Sequence, residues 1–407
     1  MESGRMDSRR SDVDDGERGW PFLAAAYAFV VTMCGTTLPT PLYSLYQREF
    51  GFSSFMVTVI FAVYAAGVIV ALLLLGSVSD FVGRRPVMLA ALVLSGLSAV
   101  CFLLAQGLPE LFAGRTLSGL SAGLATGTAT VTVIELAPEH RRRGATLLAT
   151  GANLGGLGLG PLLAGVLAQY APAPLKLVFV VDLVLVAVSA AVVLALPETV
   201  RKRSRPPLRP QRLRVPKEMR STFAAAAMAG FAGFATLGLF TSVSPTFLSE
   251  VEGESNLAVA GAVAFSVFAA SVAGQVLGRR LGPGRSLPGG CAVLVAGMAA
   301  IAVSLAIASL ELLVLGAVIA GTGQGLSFHA AVRVVTESSP ADHRAEVTSA
   351  LFVLMYLAIS IPVIGVGALT VAVGLRSAGL IFTGCVALLA VATLLRLRAL
   401  SAEAPGR

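Results

Sequence analysis

The sequence predicts an all-α integral membrane protein, with twelve transmembrane helices in two related six-helix halves. Three observations predict it. The 407-residue chain is 56% hydrophobic and only 13% charged, against about 25% charged in soluble proteins. Its apolar residues fall into twelve runs, each near the ~20 residues that a helix needs to cross ~30 Å of hydrocarbon. The chain also echoes itself. Gly119, Gly123, Glu135 and Pro138 recur as Gly321, Gly325, Glu337 and Pro340, every pair 202 residues apart, and Gly76/Gly278 and Pro86/Pro288 share that offset.

In chain order, residues 1–19 mix Asp, Glu and Arg without an apolar core, so they read as a disordered tail rather than a signal peptide. Helices α1 to α6 are expected at 20–46, 55–75, 87–106, 111–136, 145–168 and 175–196. Residues 197–220 are rich in Pro and Arg, lack apolar periodicity, and read as a basic linker. Helices α7 to α12 follow at 221–248, 257–278, 288–309, 312–336, 346–370 and 375–397, and 398–407 form a second tail. The domains are therefore a six-helix bundle over 20–196 and another over 221–397.

Basic residues concentrate in alternate connections: Arg84–Arg85, Arg141–Arg143, the linker, Arg279–Arg280 with Arg285, and Arg344. The intervening connections hold Arg48, Lys176 and Arg376 singly or none. Positive residues stay on the cytoplasmic side, so both termini and the linker are expected there, in an inner (plasma) membrane. The same placement accounts for the net charge of +8 without nucleic acid.

Several chemistries are disfavoured. Lys176, Lys202 and Lys217 are the only lysines, and none follows a glycine, so no phosphate-cradling Gly-Lys-Ser/Thr loop is present. Cys34, Cys101, Cys291 and Cys385 lie within apolar runs at no metal-site spacing and read as packing residues. With three histidines (His140, His329, His343) and no Ser/His/Asp set, neither an enzyme nor a bound metal or cofactor is expected.

The most specific stretch lies between α2 and α3: GSVSDFVGRR, with Gly76, Asp80, Gly83, Arg84 and Arg85. It resembles the G-x-x-x-D-x-x-G-[RK]-[RK] loop of the major facilitator superfamily, twelve-helix secondary transporters, with Val78 and Phe81 departing from the usual Leu and Arg. The resemblance covers 20–397 and implies a conformational latch. Asp80 would accept hydrogen bonds from the N-terminus of α11, near Glu346, where the helix dipole is positive. It also implies ion pairs between Glu135 or Glu337 and loop arginines such as Arg84. In α5, Gly156, Gly160–Pro161 and Gly165 resemble the G-x-x-x-G-P-x-x-x-G core of the drug:proton antiporter branch. Small residues permit close helix approach and Pro161 removes a backbone donor, as suits a gate, although glycine-rich packing alone would look the same.

Arg115 near the outer end of α4 resembles the family's R-x-x-x-G element, for which a role in proton coupling has been proposed. A charge at membrane depth normally faces a wet cavity or a partner, the alternative being an arginine that snorkels to the interface. Asp182 in α6 stands clear of the loops at a similar depth, about 8–10 Å inside its helix end at ~1.5 Å per residue. It is the expected carboxyl partner of Arg115, with Glu135 the next coupling candidate. In α10, His329, Arg333 and Glu337 recur every fourth residue and share a face, as an ion-pair network or a proton relay.

Helices 1, 4, 7 and 10 line the pathway in the family. Here they offer Tyr27, Thr32, Thr126, Thr130, Phe234, Thr241 and Gln324, an apolar set for a neutral or weakly cationic organic molecule. The expected function is proton-coupled export of small, mainly apolar compounds by a monomer, its partners being substrate, protons and lipid. Nutrient uptake and a non-transporting receptor or scaffold are the alternatives.

Overall fold

In hydrocarbon no water satisfies an exposed peptide group, so each apolar run closes its hydrogen bonds internally as a helix. The computed structural model describes residues 19–76, 78–200, 213–242, 248 and 255–402. Residues 1–18, the linker stretch 201–212, positions 243–247 in the expected end of α7, and 403–407 lie outside the described residues.

Among the described residues, twelve helices are long and apolar enough to cross a membrane: α1 Trp20–Phe50, α2 Ser54–Leu75, α3 Arg84–Leu103, α4 Leu108–Glu135, α5 Gly144–Tyr170 and α6 Pro174–Ala195, then α7 Lys217–Ser242, α8 Leu257–Leu281, α9 Pro283–Ile307, α10 Leu310–Ser338, α11 Arg344–Val373 and α12 Leu375–Leu400. Two boundaries differ instructively from expectation. Helix α1 pauses after Thr37, tightens to a 3-10 turn at Thr40–Leu42 and resumes over Tyr43–Phe50, because Pro39 and Pro41 cannot donate. Helix α9 begins at Pro283 rather than 288, since proline in a first turn forfeits no helical bond and Gly282, at φ +74, supplies the reversal.

Helix-to-helix contact explains the 202-residue echo. A Cβ on Gly119 would strike the Tyr64 carbonyl and stand 3.0 Å from the Gly67 Cα, while one on Gly123 would stand 3.0 Å from the Val68 carbonyl. In the second half, Gly321 faces the Val267 carbonyl and Gly325 faces Ser271. The repeated pairs thus let α4 lie on α2 and α10 on α8 at backbone contact, the close approach that replaces hydrophobic driving force between helices in lipid.

The closest backbone approaches between the two halves lie towards one end. Across α5 and α8, Gly165 faces the Leu257 carbonyl and Gly261 faces the Pro161 carbonyl; across α2 and α11, Gly367 faces Thr58. All three crossings lie at the end away from the basic connections. Gly156 and Gly160 have a different task, packing on α1 within their own half against the Val30 and Cys34 carbonyls. The α5 motif is therefore split: its Pro161 and Gly165 form the seam, and its other glycines form the bundle.

Candidate functional site

Because the seams close one end, the halves diverge towards the basic end and enclose a cavity of about 620 Å³. Thr36, Thr37, Phe61 and Tyr64 line its blind end, and Arg279, Arg333 and Glu337 its mouth. Between them lies an aromatic wall. The Phe234 and Phe328 rings are 5.3 Å apart and the Phe328 and Phe352 rings 6.2 Å. Two tyrosines bring hydroxyls to the wall, Tyr64 interacting with Thr36 and Tyr356 reaching across the halves to Thr126.

Of the expected cavity residues, Thr126, Thr130, Phe234 and Thr241 line this space. Three do not. Tyr27 points outwards, 36% exposed. The Thr32 hydroxyl turns back onto its own helix, donating to the Ala28 carbonyl at 2.8 Å. Gln324 sits behind the wall, where its Oε1 accepts from the Ser271 hydroxyl at 2.5 Å. In their place the cavity takes Tyr64, Asn153, Gln275 and Tyr356 from α2, α5, α8 and α11. The polarity of Asn153 and Gln275 inside apolar runs was the available signal.

Arg115 does not snorkel. It is fully buried; its Nε donates to the Tyr43 hydroxyl and its Nη1 to the Thr36 carbonyl at 2.6 Å. The rings of Tyr43, Phe61, Tyr64 and Phe102 surround the guanidinium at 5.1–5.9 Å, and Nη2 has no hydrogen-bond partner. Since Thr36, Phe61 and Tyr64 also line the cavity, Arg115 stands one layer behind its blind end.

Asp182 is not its partner, contrary to the expectation from depth. A Cβ on Gly35 would stand 3.1 Å from both Asp182 Oδ1 and Ser95 Oγ, so the acid abuts α1 and α3. Gly35 and Thr36 are consecutive, about 100° apart around α1, and no ion pair joins Arg115 to Asp182 among the described residues. Asp182 is 2% exposed and its Oδ1 is without a partner.

At the basic end, Arg84 gathers the latch loop. Its Nη1 bonds Asp80 at 2.5 Å and Ser79 at 2.7 Å, and its Nη2 bonds Glu135 at 3.1 Å. Asp80 stays 55% exposed. Among the described residues Asp80 pairs only with Arg84; the expected contact with α11 is not made while the mouth is open. Gly83, at φ +112, turns the chain so that the backbone N–H groups of Arg84 and Arg85 both donate to the Glu198 carboxylate, at 2.8 and 3.2 Å. A Cβ there would stand 2.9 Å from the Glu198 Cδ. Thr199 donates to Glu135 at 2.6 Å. The linker's first residues are thus clipped to the loop rather than solvated, a role for Glu198 that its position after Pro197 did not disclose. Gly76 ends α2 in ordinary helical conformation.

In α10, Arg333 Nε bonds Glu337 at 2.6 Å. His329 turns to α8, its ring 3.3 Å from where a Gly278 Cβ would stand. The three share a face, yet only two of them pair.

A family profile described as Major Facilitator Superfamily matches residues 25–361. The chain is 27% identical over 161 residues to the "Putative multidrug resistance protein MdtD" of Escherichia fergusonii, and the same protein name recurs among Escherichia coli relatives at that identity. The match covers 40% of this chain and 34% of the relative, so the chain spans about a third of the length of the curated relatives it matches. Among solved structures, a bacterial homolog to human lysosomal transporter Spinster, in an inward-facing and unoccupied conformation, is similar with TM-score 0.76 and 17% identity, over 96% of this chain and 99% of that one. A D-xylose-proton symporter is similar with TM-score 0.71 and 17% identity, over 92% and 96%. At that identity the likeness is one of fold.

Proposed function

This chain belongs to the Major Facilitator Superfamily, and from that membership we propose that it exports small, mainly apolar organic compounds in exchange for protons across an inner membrane. The family's members are transporters, not enzymes. The observation that carries export of apolar cargo is the aromatic cavity, closed at one end by a seam that contains Pro161 and Gly165. The MdtD relative supports the same reading over the stretch it matches. Positive-inside orientation makes the basic end cytoplasmic, with both termini, so the cavity opens to the cytoplasm and can load cargo there or from the inner leaflet. A single twelve-helix chain encloses the whole cavity, and the monomer is the proposed working unit.

For coupling, Asp182 is the proposed titrating group. Glu135 is engaged by Arg84 and Thr199, whereas Asp182 is a buried acid with a free oxygen and no cation beside it among the described residues. Everted vesicles acidified inside should accumulate a lipophilic fluorescent dye, and a protonophore should release it. Asp182→Asn should lose accumulation while keeping downhill exchange. Accumulation driven by the opposite gradient would make the protein an importer, and wild-type accumulation in Asp182→Asn would remove the acid from coupling.

The loop between α2 and α3 is proposed as the latch of the cytoplasm-closed state. When the mouth shuts, α11 approaches Asp80, whose exposed carboxylate can then cap that helix at about 0.3–1 kcal/mol or more. Asp80→Asn should lower the transport rate severalfold with unchanged unfolding temperature, since Glu198 still caps α3. Equal rates for the variant and the wild type would exclude a latch at Asp80.

A further inference from the structure

The cavity has a charge that its apolar wall does not announce. Glu337 is the one acid among its described lining residues, and it is held by Arg333 at 2.6 Å. Arg279 lines the same mouth and has no carboxylate within ion-pair distance among the described residues. One turn deeper on the same face of α8, Gln275 also lines the cavity; it is 4% exposed and its Nε2 donor has no partner. Gln275 and Arg279 stand four residues apart, two polar rungs on one wall, and His329 of α10 lines the same cavity. The ring cluster of Phe234, Phe328 and Phe352 lines the same cavity.

We propose that the preferred cargo is an amphipathic organic carboxylate, with its ring or chain against the phenylalanines and its carboxylate on Arg279 and the Gln275 amide. This deepens the export reading and rests on it. A buried amide donor left unpaired is costly, and an oxygen anion relieves it. A guanidinium fork matches a carboxylate with two parallel hydrogen bonds. A cation finds neither: its only acid is already paired, and Arg279 repels it. The weakly cationic cargo expected from the sequence is therefore disfavoured by the same wall that favours an anion. A cavity of about 620 Å³ falls within the range that buries a drug-sized molecule.

The test uses the purified full chain in lipid nanodiscs with tritiated naphthalene-1-acetate as the probe. Unlabelled naphthalene-1-acetate, 1-naphthaleneethanol and 1-naphthaleneethylamine compete, sharing a ring but differing in charge. The carboxylate should displace the probe at about tenfold lower concentration than the alcohol, and the amine should be weakest. Arg279→Gln should bring the carboxylate down to the affinity of the alcohol, and Arg279→Lys should recover part of the difference. The wild-type ranking alone decides the matter if a variant fails to fold. No binding of the probe, equal affinities, or the amine ranking first would each overturn the proposal. Dye accumulation in everted vesicles is read separately. If it persists while the carboxylate shows no preference, only the charge assignment falls; if accumulation itself fails, the export reading falls with it.

Discussion

Replacing Arg115 with methionine is expected to abolish uphill transport while leaving the protein folded. The expectation turns on which of two roles the arginine plays. If it were structural, its bonds to Tyr43 and Thr36 and its ring contacts would hold α1, α2 and α4 together, and its loss would unfold that end. Yet taking a guanidinium out of water costs several kcal/mol, and this one has no carboxylate partner among the described residues to offset it. Nη2 has no partner, so the methionine removes an unmet donor as well as a charge. The Tyr43 hydroxyl and the Thr36 carbonyl lose a donor in return, so a net loss of about 1–3 kcal/mol is expected, short of unfolding the bundle. Transport has no such compensation. The guanidinium is the one described charge behind the blind end of the cavity, and it holds Tyr43 and the Thr36 carbonyl beside the ring pair, Phe61 and Tyr64, that closes that end. Lysine should rescue poorly, since a point ammonium cannot bond Tyr43 and Thr36 together while lying among four rings. Dye accumulation and thermal unfolding, measured on one preparation, decide between the roles. Full accumulation in Arg115→Met makes the arginine dispensable; unfolding makes it structural.

The contrast between Arg115 and Asp182 also marks how far the sequence could be read. Apolar runs as long as a bilayer is thick disclosed all twelve helices, and the 202-residue echo disclosed the glycines at which α4 and α10 lie on their neighbours. The loop motif, through its resemblance to the family's, singled out Gly83 and Arg84, which stand at a positive φ and as a buried cation. Which way each helix faces was not legible. A membrane helix is apolar towards lipid and towards protein alike, so α2 and α11 gave no sign that Tyr64 and Tyr356 turn inwards. Equal depth likewise could not say that Asp182 abuts Gly35 beside Ser95 of α3 while Arg115 bonds Tyr43 and the Thr36 carbonyl instead. Glu198 reaches the loop from more than a hundred positions away, and no local pattern records such a contact.

A leucine at Gly261 is expected to stop transport by a different route, holding open the end that is now shut. In the closed seam a Cβ at Gly261 would strike the Pro161 carbonyl and come within 3.1 Å of the Leu162 Cα, while Gly165 meets Leu257 and Ala258 in the same way from the other helix. Backbone cannot yield as a side-chain tip can, so a branched side chain at either position must part α5 from α8. Within one half that parting would break the bundle. Between halves it displaces two bodies that each keep a core of their own, for the second half is packed around residues such as Phe240, Cys291 and Met355. Gly261→Leu should therefore fold, lose transport more than tenfold, and favour the state open at the far end, given a wedge cost of about 1–3 kcal/mol against the closed seam. Gly156→Leu is the matched control. Its Cβ would stand 2.6 Å from both the Val30 carbonyl and the Met33 Cβ, inside one half, so that variant should misfold. The readout is a single thiol introduced by Thr37→Cys, at the blind end, in a protein whose four native cysteines are replaced by alanine. With Gly261 intact, a membrane-impermeant maleimide should reach that thiol only from the basic end, and in Gly261→Leu from the opposite end as well. Transport at the wild-type rate in Gly261→Leu, or labelling from the basic end alone, would mean that the α5–α8 crossing is fixed scaffold and that alternation occurs elsewhere.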